Sequence, residues 1–187
     1  MSRRFRNSDD KVNRAKNDHL AKENELFKYI FIMIKSIGIR CNPNEVFFAI
    51  CEATNETCVV SVVDSIVVPI ALEMPEKLKF IRNTMTDILE EYGVTNACIR
   101  ATEPTAQTLY IPRIYLEGVI QELIASSSIS KYYIGHISSI SARLGIQRAD
   151  FKKYISDELD YDKISDWKKF SDLQKESILA SISAINI

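Results

Sequence analysis

VFFAICEATNETCVVSVV, residues 46–63, is the stretch that decides how this chain folds. β-Branched and aromatic residues dominate both halves, and the polar tetrapeptide at 54–57 between them is typical of a turn. The stretch therefore predicts two strands joined by a short loop. Glu52 lies near the end of the first strand, where a carboxylate within apolar sequence needs a partner, a proton or a metal ion. The alternative is that Glu52 faces solvent from a half-buried strand.

The composition is that of a globular protein. The chain has 187 residues, of which 46% are hydrophobic and 26% are charged, and its formal net charge is −1. Charge is uneven, because residues 1–16 hold six basic side chains against two acidic ones. No apolar signal segment follows that basic start, and the apolar run at 26–34 is too short to span a bilayer. We therefore expect a soluble cytoplasmic protein that makes no membrane contact.

Cysteine and histidine spacing gives little support to two common kinds of site. The four cysteines form no CxxC pair and the two histidines are far apart, so a zinc site is not expected. Three of the cysteines fall in apolar, strand-like segments, where a buried reduced thiol is the ordinary state. Nucleophilic catalysis is not expected either, since no Ser or Cys stands near a histidine in a known pattern.

Residues 1–44 are predicted to form a basic arm and an amphipathic helix ahead of the core. Helical spacing of apolar residues runs through the second half of 9–37, and Gly38 suits the end of such a helix. The amphipathic part, 20–37, is expected to mediate self-association, as in a homodimer, or to dock a partner protein. The core domain is then expected to span 45–187.

The core is predicted to follow the order β-β-β-α-β-α-β-α. Pro69 in the third strand places that strand at a sheet edge, because proline has no N–H to donate. Strands that follow helical crossovers are expected to be parallel. The predicted fold is thus α/β, a mixed five-stranded sheet flanked by helices. The predicted strands are 46–53, 58–64, 66–72, 96–101 and 131–137, and the helices cover about 75–92, 112–125 and 172–184.

Three carboxylates are predicted to converge at one end of this sheet. The commonest arrangement puts the first strand beside the fourth, so Glu52 and Glu103 would meet where those strands end. Glu176 on the closing helix, or Asp172 one turn earlier, would add a third acid. Neighbouring carboxylates repel unless a cation lies between them, and hard oxygen ligands favour Mg²⁺ or Mn²⁺. Two such ions about 4 Å apart can activate water for phosphodiester cleavage.

This element order with this acid placement resembles the RNase H-like superfamily, most closely its RuvC-type Holliday junction resolvases, and also uncharacterised bacterial proteins with the same core. The resemblance covers about 45–187. IGHISSISARLGIQRADFKKYI, at 134–155, is similar to the resolvase pattern of a strand, a short helix, a glycine turn and a helix start. TEPTAQTLYIPRIYLEGVIQEL, at 102–123, is similar to the stretch that starts with a catalytic Glu and leads into a helix.

The resemblance implies a metal-dependent nuclease that hydrolyses structured or double-stranded nucleic acid. Glu52, Glu103 and Glu176 would be catalytic, and together with Asp172 they would bind the ions. The family's first acid is normally Asp, and its last helix usually carries two acids three residues apart. This chain has Glu52 at the first place and, on the last helix, Glu176 with only Asp172 close by. The alternative is a catalytically degenerate module that serves binding or assembly.

A basic cluster surrounds the turn predicted at Gly145. It consists of Arg143, Arg148, Lys152 and Lys153. Such a cluster is suited to nucleic-acid phosphates, which bind Lys and Arg electrostatically. The alternative is an ordinary solvated face.

Overall fold

The structure, a computed structural model, describes residues 33–54, 57–105 and 107–187. Residues 33–187 group into one compact unit. None of the described helices combines the length and apolar character needed to cross a membrane. The strands are β1 (Ile34–Cys41), β2 (Glu45–Ala53), β3 (Cys58–Val67), β4 (Asn96–Arg100) and β5 (Lys131–Gly135). The helices are α1 (Met74–Tyr92), α2 (Ile111–Ser126), α3 (Ile137–Leu144), α4 (Phe151–Ile155) and α5 (Asp172–Ile185), with a 3₁₀ turn at Trp167–Lys169 before α5.

The five strands form one mixed sheet in the order β3-β2-β1-β4-β5. The β1–β2 and β2–β3 pairs are antiparallel, and the β1–β4 and β4–β5 pairs are parallel. β1 is therefore the central strand, and the pairing changes from antiparallel to parallel across it. The predicted α/β class, the mixed five-stranded sheet and its flanking helices are confirmed.

The first strand is not the one that the sequence predicts. The sequence favours a helix through residue 37, whereas Ile34–Cys41 forms β1. All residues of β1 from Ser36 onward are buried. β1 does alternate, with Ile37 and Ile39 on one face and Ser36, Gly38 and Arg40 on the other. The alternation is short, it directly follows the apolar run at 26–34, and Gly38 suits the end of a helix, so the sequence favours a continued helix. The sheet domain therefore includes residues 34–44, which the sequence assigns to the N-terminal unit.

The predicted third strand and the predicted docking helix also differ from the structure. The predicted third strand at 66–72 does not form, because β3 continues to Val67 and Pro69 follows it in an irregular segment. The predicted docking helix at 20–37 lies mostly outside the described residues. Its last four positions belong to β1, so they are not part of such a helix.

Helices cover both faces of the sheet. α1 and α2 pack on one face, where Ile81 and Ile120 join Ile39 of β1 in one apolar core. α3, α4 and α5 cover the other face, where Ile178 of α5 packs in a second core with Ala49 of β2. The two cores account for the buried character of the central strands.

α5 lies directly against β1, and this contact sets the position of Glu176. A Cβ atom on Gly38 would overlap backbone atoms of Ser177 and Ser181, so glycine is required for the close approach. Ser181 also donates a 2.9 Å hydrogen bond from its hydroxyl to the carbonyl oxygen of Ser36. Ser181 contacts Ser36, and Ser177, one turn earlier on α5, contacts Gly38 further along β1. α5 therefore runs in the direction opposite to β1. Glu176 is thereby brought to the carboxyl end of β1.

Candidate functional site

Glu52 does not join the other predicted acids. It lies opposite Lys35 in the β1–β2 register, and its Oε1 is 3.6 Å from Lys35 Nζ. Because β2 runs antiparallel to β1, the carboxyl end of β2 lies at the amino ends of β1 and β4. Glu52 is thus separated by about 16 Å along β1 from the sheet end that carries Glu103. The predicted meeting of Glu52 and Glu103 is wrong, and the alternative of a half-exposed strand residue is the one observed.

Two arginines occupy the carboxyl ends of β1 and β4. Arg40 and Arg100 lie opposite each other in the parallel register, and only 8% and 3% of them is exposed. Arg40 follows Gly38 by two positions, so it lies on the sheet face that α5 covers. Its Nη1 donates a 3.0 Å hydrogen bond to the carbonyl oxygen of Arg100. The end of the sheet where acids are predicted therefore carries two buried cations.

Glu176 is the anion that these two arginines share. Its Oε2 lies 2.8 Å from Arg40 Nε and 3.2 Å from Arg100 Nε. The atoms are close but not aligned as directional hydrogen bonds, so the attraction is chiefly electrostatic. Burial raises the pKa of the Glu176 carboxyl, and the charges of Arg100 and Arg113 oppose that rise. The guanidinium groups therefore stabilise the charged form of a carboxylate that burial alone would penalise.

Glu103 extends the cluster from β4 to α3. Its Oε1 lies 2.9 Å from Arg100 Nη1 and accepts a 2.9 Å hydrogen bond from the backbone N–H of Ile137, in the first turn of α3. Glu103 and Glu176 thus contact the same guanidinium group. These two acids are brought to one place, as the sequence predicts, but a cation of the chain itself lies between them. We call Arg40, Arg100, Glu103 and Glu176 the arginine–carboxylate cluster.

The arginine–carboxylate cluster does not fit a divalent ion. Mg²⁺ needs several oxygen ligands that lack other positive partners. Here Arg40 and Arg100 already supply the positive charge and enclose the Glu176 carboxylate. Asp172 is exposed in the first turn of α5, and no group of three or more His, Cys, Asp or Glu side chains suited to a metal ion occurs in the described ranges. The geometry therefore gives no support to the Mg²⁺ or Mn²⁺ site predicted from Glu52, Glu103, Asp172 and Glu176.

A second ion pair anchors the loop that carries Glu103. Arg113 Nε lies 2.8 Å from Oε1 of Glu117, which is buried on α2. The same carboxylate accepts hydrogen bonds from the backbone N–H and the hydroxyl of Thr102, at 3.1 and 3.0 Å. α2 therefore fixes the start of the loop after β4. Sequence reasoning missed this pair, although i, i+4 spacing of opposite charges on a predicted helix is the signal for it.

Two of the four predicted basic residues contact other side chains of the chain. The guanidinium carbon of Arg143 lies 4.0 Å from the centroid of the Tyr133 ring, in a cation–π contact. Lys153 Nζ lies 2.8 Å from Oδ1 of Asp150, three residues earlier. These two side chains therefore have partners of their own on the protein surface.

Arg148 and Lys152 remain as the cations open to a ligand. Both are exposed, and together with Ile137 and Gln147 they line an open cavity of about 480 Å³. The structure gives neither side chain an ion pair with another described residue. The cavity adjoins the arginine–carboxylate cluster, because the Ile137 N–H is the donor to Glu103. The predicted basic surface is thus reduced to these two residues.

Comparisons with known proteins support the fold through structure and not through sequence. Neither a scan against protein-family models nor a search of curated proteins finds a match to the sequence. Among solved structures, Thermus thermophilus RuvC in complex with a Holliday junction substrate has a TM-score of 0.63 at 6% identity, covering 82% of this chain and 94% of that one. A second Thermus thermophilus RuvC structure has a TM-score of 0.60 at 6% identity, with the same coverage of both chains. The yeast mitochondrial Holliday junction resolvase has a TM-score of 0.50 at 9% identity, covering 84% and 81%. The described chain therefore has the RNase H-like fold in the form seen in RuvC and other Holliday junction resolvases.

Proposed function

We propose that this protein binds structured or double-stranded nucleic acid without hydrolysing it, as a catalytically degenerate form of the RuvC-like fold. The observation that carries the proposal is the arginine–carboxylate cluster. Glu176, the acid best placed to hold an ion, has its Oε2 within 3.2 Å of both Arg40 Nε and Arg100 Nε.

Loss of hydrolysis follows from the charge of this site. Metal-dependent phosphodiester cleavage needs carboxylates that gather ions around the scissile phosphate. An arriving divalent ion would meet two buried guanidinium groups and would have to break their pairs with Glu176. Breaking a buried ion pair costs about 3–5 kcal/mol, because the remaining charge stays out of water. The resemblance implies an acid at the end of the first strand, and β1 carries Arg40 there.

Nucleic-acid binding is supported by the fold and by the free cations. Thermus thermophilus RuvC, whose fold this chain shares, is known in complex with a Holliday junction substrate. Arg148 and Lys152 stand exposed beside the cluster and line the same open cavity. Lys and Arg bind nucleic-acid phosphates electrostatically, and the binding weakens as the salt concentration rises, because the release of counterions from the nucleic acid is then less favourable.

Binding is tested by fluorescence anisotropy with a labelled four-way junction, a duplex of the same length and single strands, at several salt concentrations. We expect binding to junction or duplex that falls steeply with salt. The paired change Arg148→Glu with Lys152→Glu should weaken it on the order of tenfold. The matched control is Lys77→Glu with Lys79→Glu on α1, which reverses the same number of charges on the opposite sheet face. Absence of binding to every nucleic acid, or equal losses in the two variants, would overturn the proposal.

Hydrolysis is tested by incubating the same nucleic acids with the protein in Mg²⁺ or Mn²⁺. We expect no cleavage. Cleavage that Glu103→Gln or Glu176→Gln removes would instead establish the metal-dependent nuclease that the sequence resemblance implies. Cleavage that survives both changes would point to a contaminating nuclease. The protein would then be purified again, and the proposal requires that the repurified protein cleaves none of these nucleic acids.

A further inference from the structure

Two cysteines lie on one face of the β2–β3 hairpin. Cys51 pairs with Val60 and Cys58 pairs with Ala53, so the two cysteines are diagonal neighbours. Side chains two residues apart on a strand share a face, and opposed residues do as well. Cys51 and Cys58 therefore project to the same side of the sheet, and Cys58 begins β3 immediately after the turn.

The turn holds these strand ends together. The backbone N–H of Thr54 donates a 2.8 Å hydrogen bond to the carbonyl oxygen of Thr57. The hydroxyl groups of the same two residues lie 3.0 Å apart. The residues that immediately follow β2 and precede β3 are thus bonded to each other, which keeps the two cysteines adjacent.

The two thiols differ in access. Cys51 is fully buried, whereas Cys58 is exposed. Cys58 also lines an open cavity of about 470 Å³, together with Lys163 and Phe170. A small solute can reach Cys58 from this cavity, while Cys51 is shielded behind it.

We propose that Cys58 is a site of oxidation by hydroperoxides and that Cys51 converts the oxidised sulfur into an intramolecular disulfide. The ligand class is a small peroxide, which fits the open cavity. The product would join neighbouring positions of β2 and β3 across the turn. This inference is independent of the proposed nucleic-acid function, because neither cysteine belongs to the arginine–carboxylate cluster.

The chemical environment of Cys58 favours its thiolate, which is the reactive form. A hydrogen bond from the Cys51 thiol lowers the pKa of Cys58 to about 7, burial opposes this, and the charge of Lys163 lowers it further. The same hydrogen bond and burial raise the pKa of Cys51, so Cys51 keeps its proton and acts as the donor. The contact that activates Cys58 thus places the second thiol beside it.

The reaction balances with one peroxide for each disulfide. The Cys58 thiolate attacks one peroxide oxygen, the O–O bond breaks, and the other oxygen takes a proton and leaves as water or an alcohol. Cys58 is then a sulfenic acid. The Cys51 sulfur attacks the Cys58 sulfur, an S–S bond forms, and the S–O bond breaks. The hydroxyl leaves with the Cys51 proton as water.

The other two cysteines provide internal controls. Cys41 and Cys98 are fully buried. Burial raises the pKa of Cys41, and it raises that of Cys98 to about 11. Both should therefore be inert to peroxide in the folded protein.

The linkage is tested on the full chain treated with hydrogen peroxide and then blocked with an alkylating reagent. Digestion by a glutamate-specific protease without reduction separates the two cysteines, since Glu52 and Glu56 lie between them. We expect one linked pair of peptides, containing Cys51 and Cys58, whose mass is lower by two hydrogen atoms. A linkage between two chains, or peroxide consumption without any linkage, would overturn the proposal.

Variants separate the two roles. Cys58→Ser should abolish the reaction. Cys51→Ser, and Cys51→Ala as a second variant, should leave a Cys58 sulfenic acid that a dimedone probe captures. Cys98→Ser is the matched control and should react like the unchanged protein. In the unchanged protein, alkylation of Cys58 should reach half of its maximal rate near pH 7, as its pKa of about 7 requires. Alkylation of Cys58 no faster than that of Cys98 would contradict the proposal.

Discussion

The two ends of the central strand carry the same kinds of charge in different surroundings. At the amino end, Lys35 and Glu52 are 3.6 Å apart, with 28% and 37% of their side chains exposed. At the carboxyl end, Arg40 and Arg100 enclose Glu176 at 2.8 and 3.2 Å, and no side chain of the three exceeds 15% exposure. Exposed pairs contribute about 0–1 kcal/mol, whereas loss of one partner from a buried pair costs about 3–5 kcal/mol. Burial, and not charge alone, decides which end is structurally important.

The largest effect is expected when both buried cations are reversed, by Arg40→Asp combined with Arg100→Glu. Four carboxyl groups would then face one another, and the free energy of unfolding should fall by more than about 5 kcal/mol. Mn²⁺ should restore part of that loss, because the cluster would then offer only oxygen ligands. Urea unfolding with and without Mn²⁺ measures this. A variant that is as stable as the unchanged protein, or indifferent to Mn²⁺, would contradict this account.

A smaller loss is expected from Glu176→Gln. The change keeps the shape of the side chain but leaves Arg40 and Arg100 buried without their shared anion. The free energy of unfolding should fall by about 3–5 kcal/mol, measured by urea unfolding. A loss below about 1 kcal/mol would show that the carboxyl end behaves like the exposed amino end.

The close packing of α5 on the middle of β1, between the two charged ends, is tested by Gly38→Ala. The added methyl group would overlap the α5 backbone at Ser177 and Ser181, so α5 must shift away from β1. We expect a loss of about 1–3 kcal/mol in the free energy of unfolding. Gly118→Ala on α2 is the control, since its new methyl group meets nothing within 4 Å and alanine favours a helix. Similar losses in both variants would exclude a specific role for the close approach.

The smallest effect is expected from Glu52→Gln. Its pair with Lys35 is half-exposed, so the free energy of unfolding should change by less than about 1 kcal/mol. The difference should also shrink at high salt, because salt screens exposed charges more than buried ones. A loss of unfolding free energy as large as that of Glu176→Gln would show that Glu52 belongs to a buried charge network and would contradict this expectation.

Much of the fold could be predicted from local pattern. The hairpin is specified by two runs rich in β-branched and aromatic residues on either side of a polar turn, and β2 and β3 begin within one residue of the predicted positions. α1 has Pro75 in its first turn and ends before Gly93, whose φ of 61° suits glycine. α2 and α5 also lie within one residue of their predicted bounds. These signals are local because they depend on neighbours along the chain.

The misplacement of Glu52 at the candidate site comes from the unrecognised strand β1. β1 is hard to recognise in the sequence because its short alternation, SIGIR, directly follows an apolar run with helical spacing and contains Gly38, which suits the end of a helix. With β1 missing, Glu52 was assigned to the first strand and therefore to the wrong sheet end. Arg40 is overlooked for the same reason, since it lies in β1. Arg100 lies in β4, which the sequence does predict, but only the pairing of β4 with β1 brings Arg100 beside Arg40 and Glu176.

Local sequence pattern predicts the α/β class, the order of most elements and the presence of acids at Glu103 and Glu176. The groups that those acids contact depend on how distant parts of the chain pack together. Strand direction and the order of neighbouring strands depend on contacts between distant parts of the chain, and the spacing of apolar residues along the sequence does not reveal such contacts. The close approach of α5 to Gly38 then brings Glu176 to two arginines instead of to a metal ion. The charge of the site was therefore set by packing, since Arg40 lies 136 positions before Glu176 in the sequence.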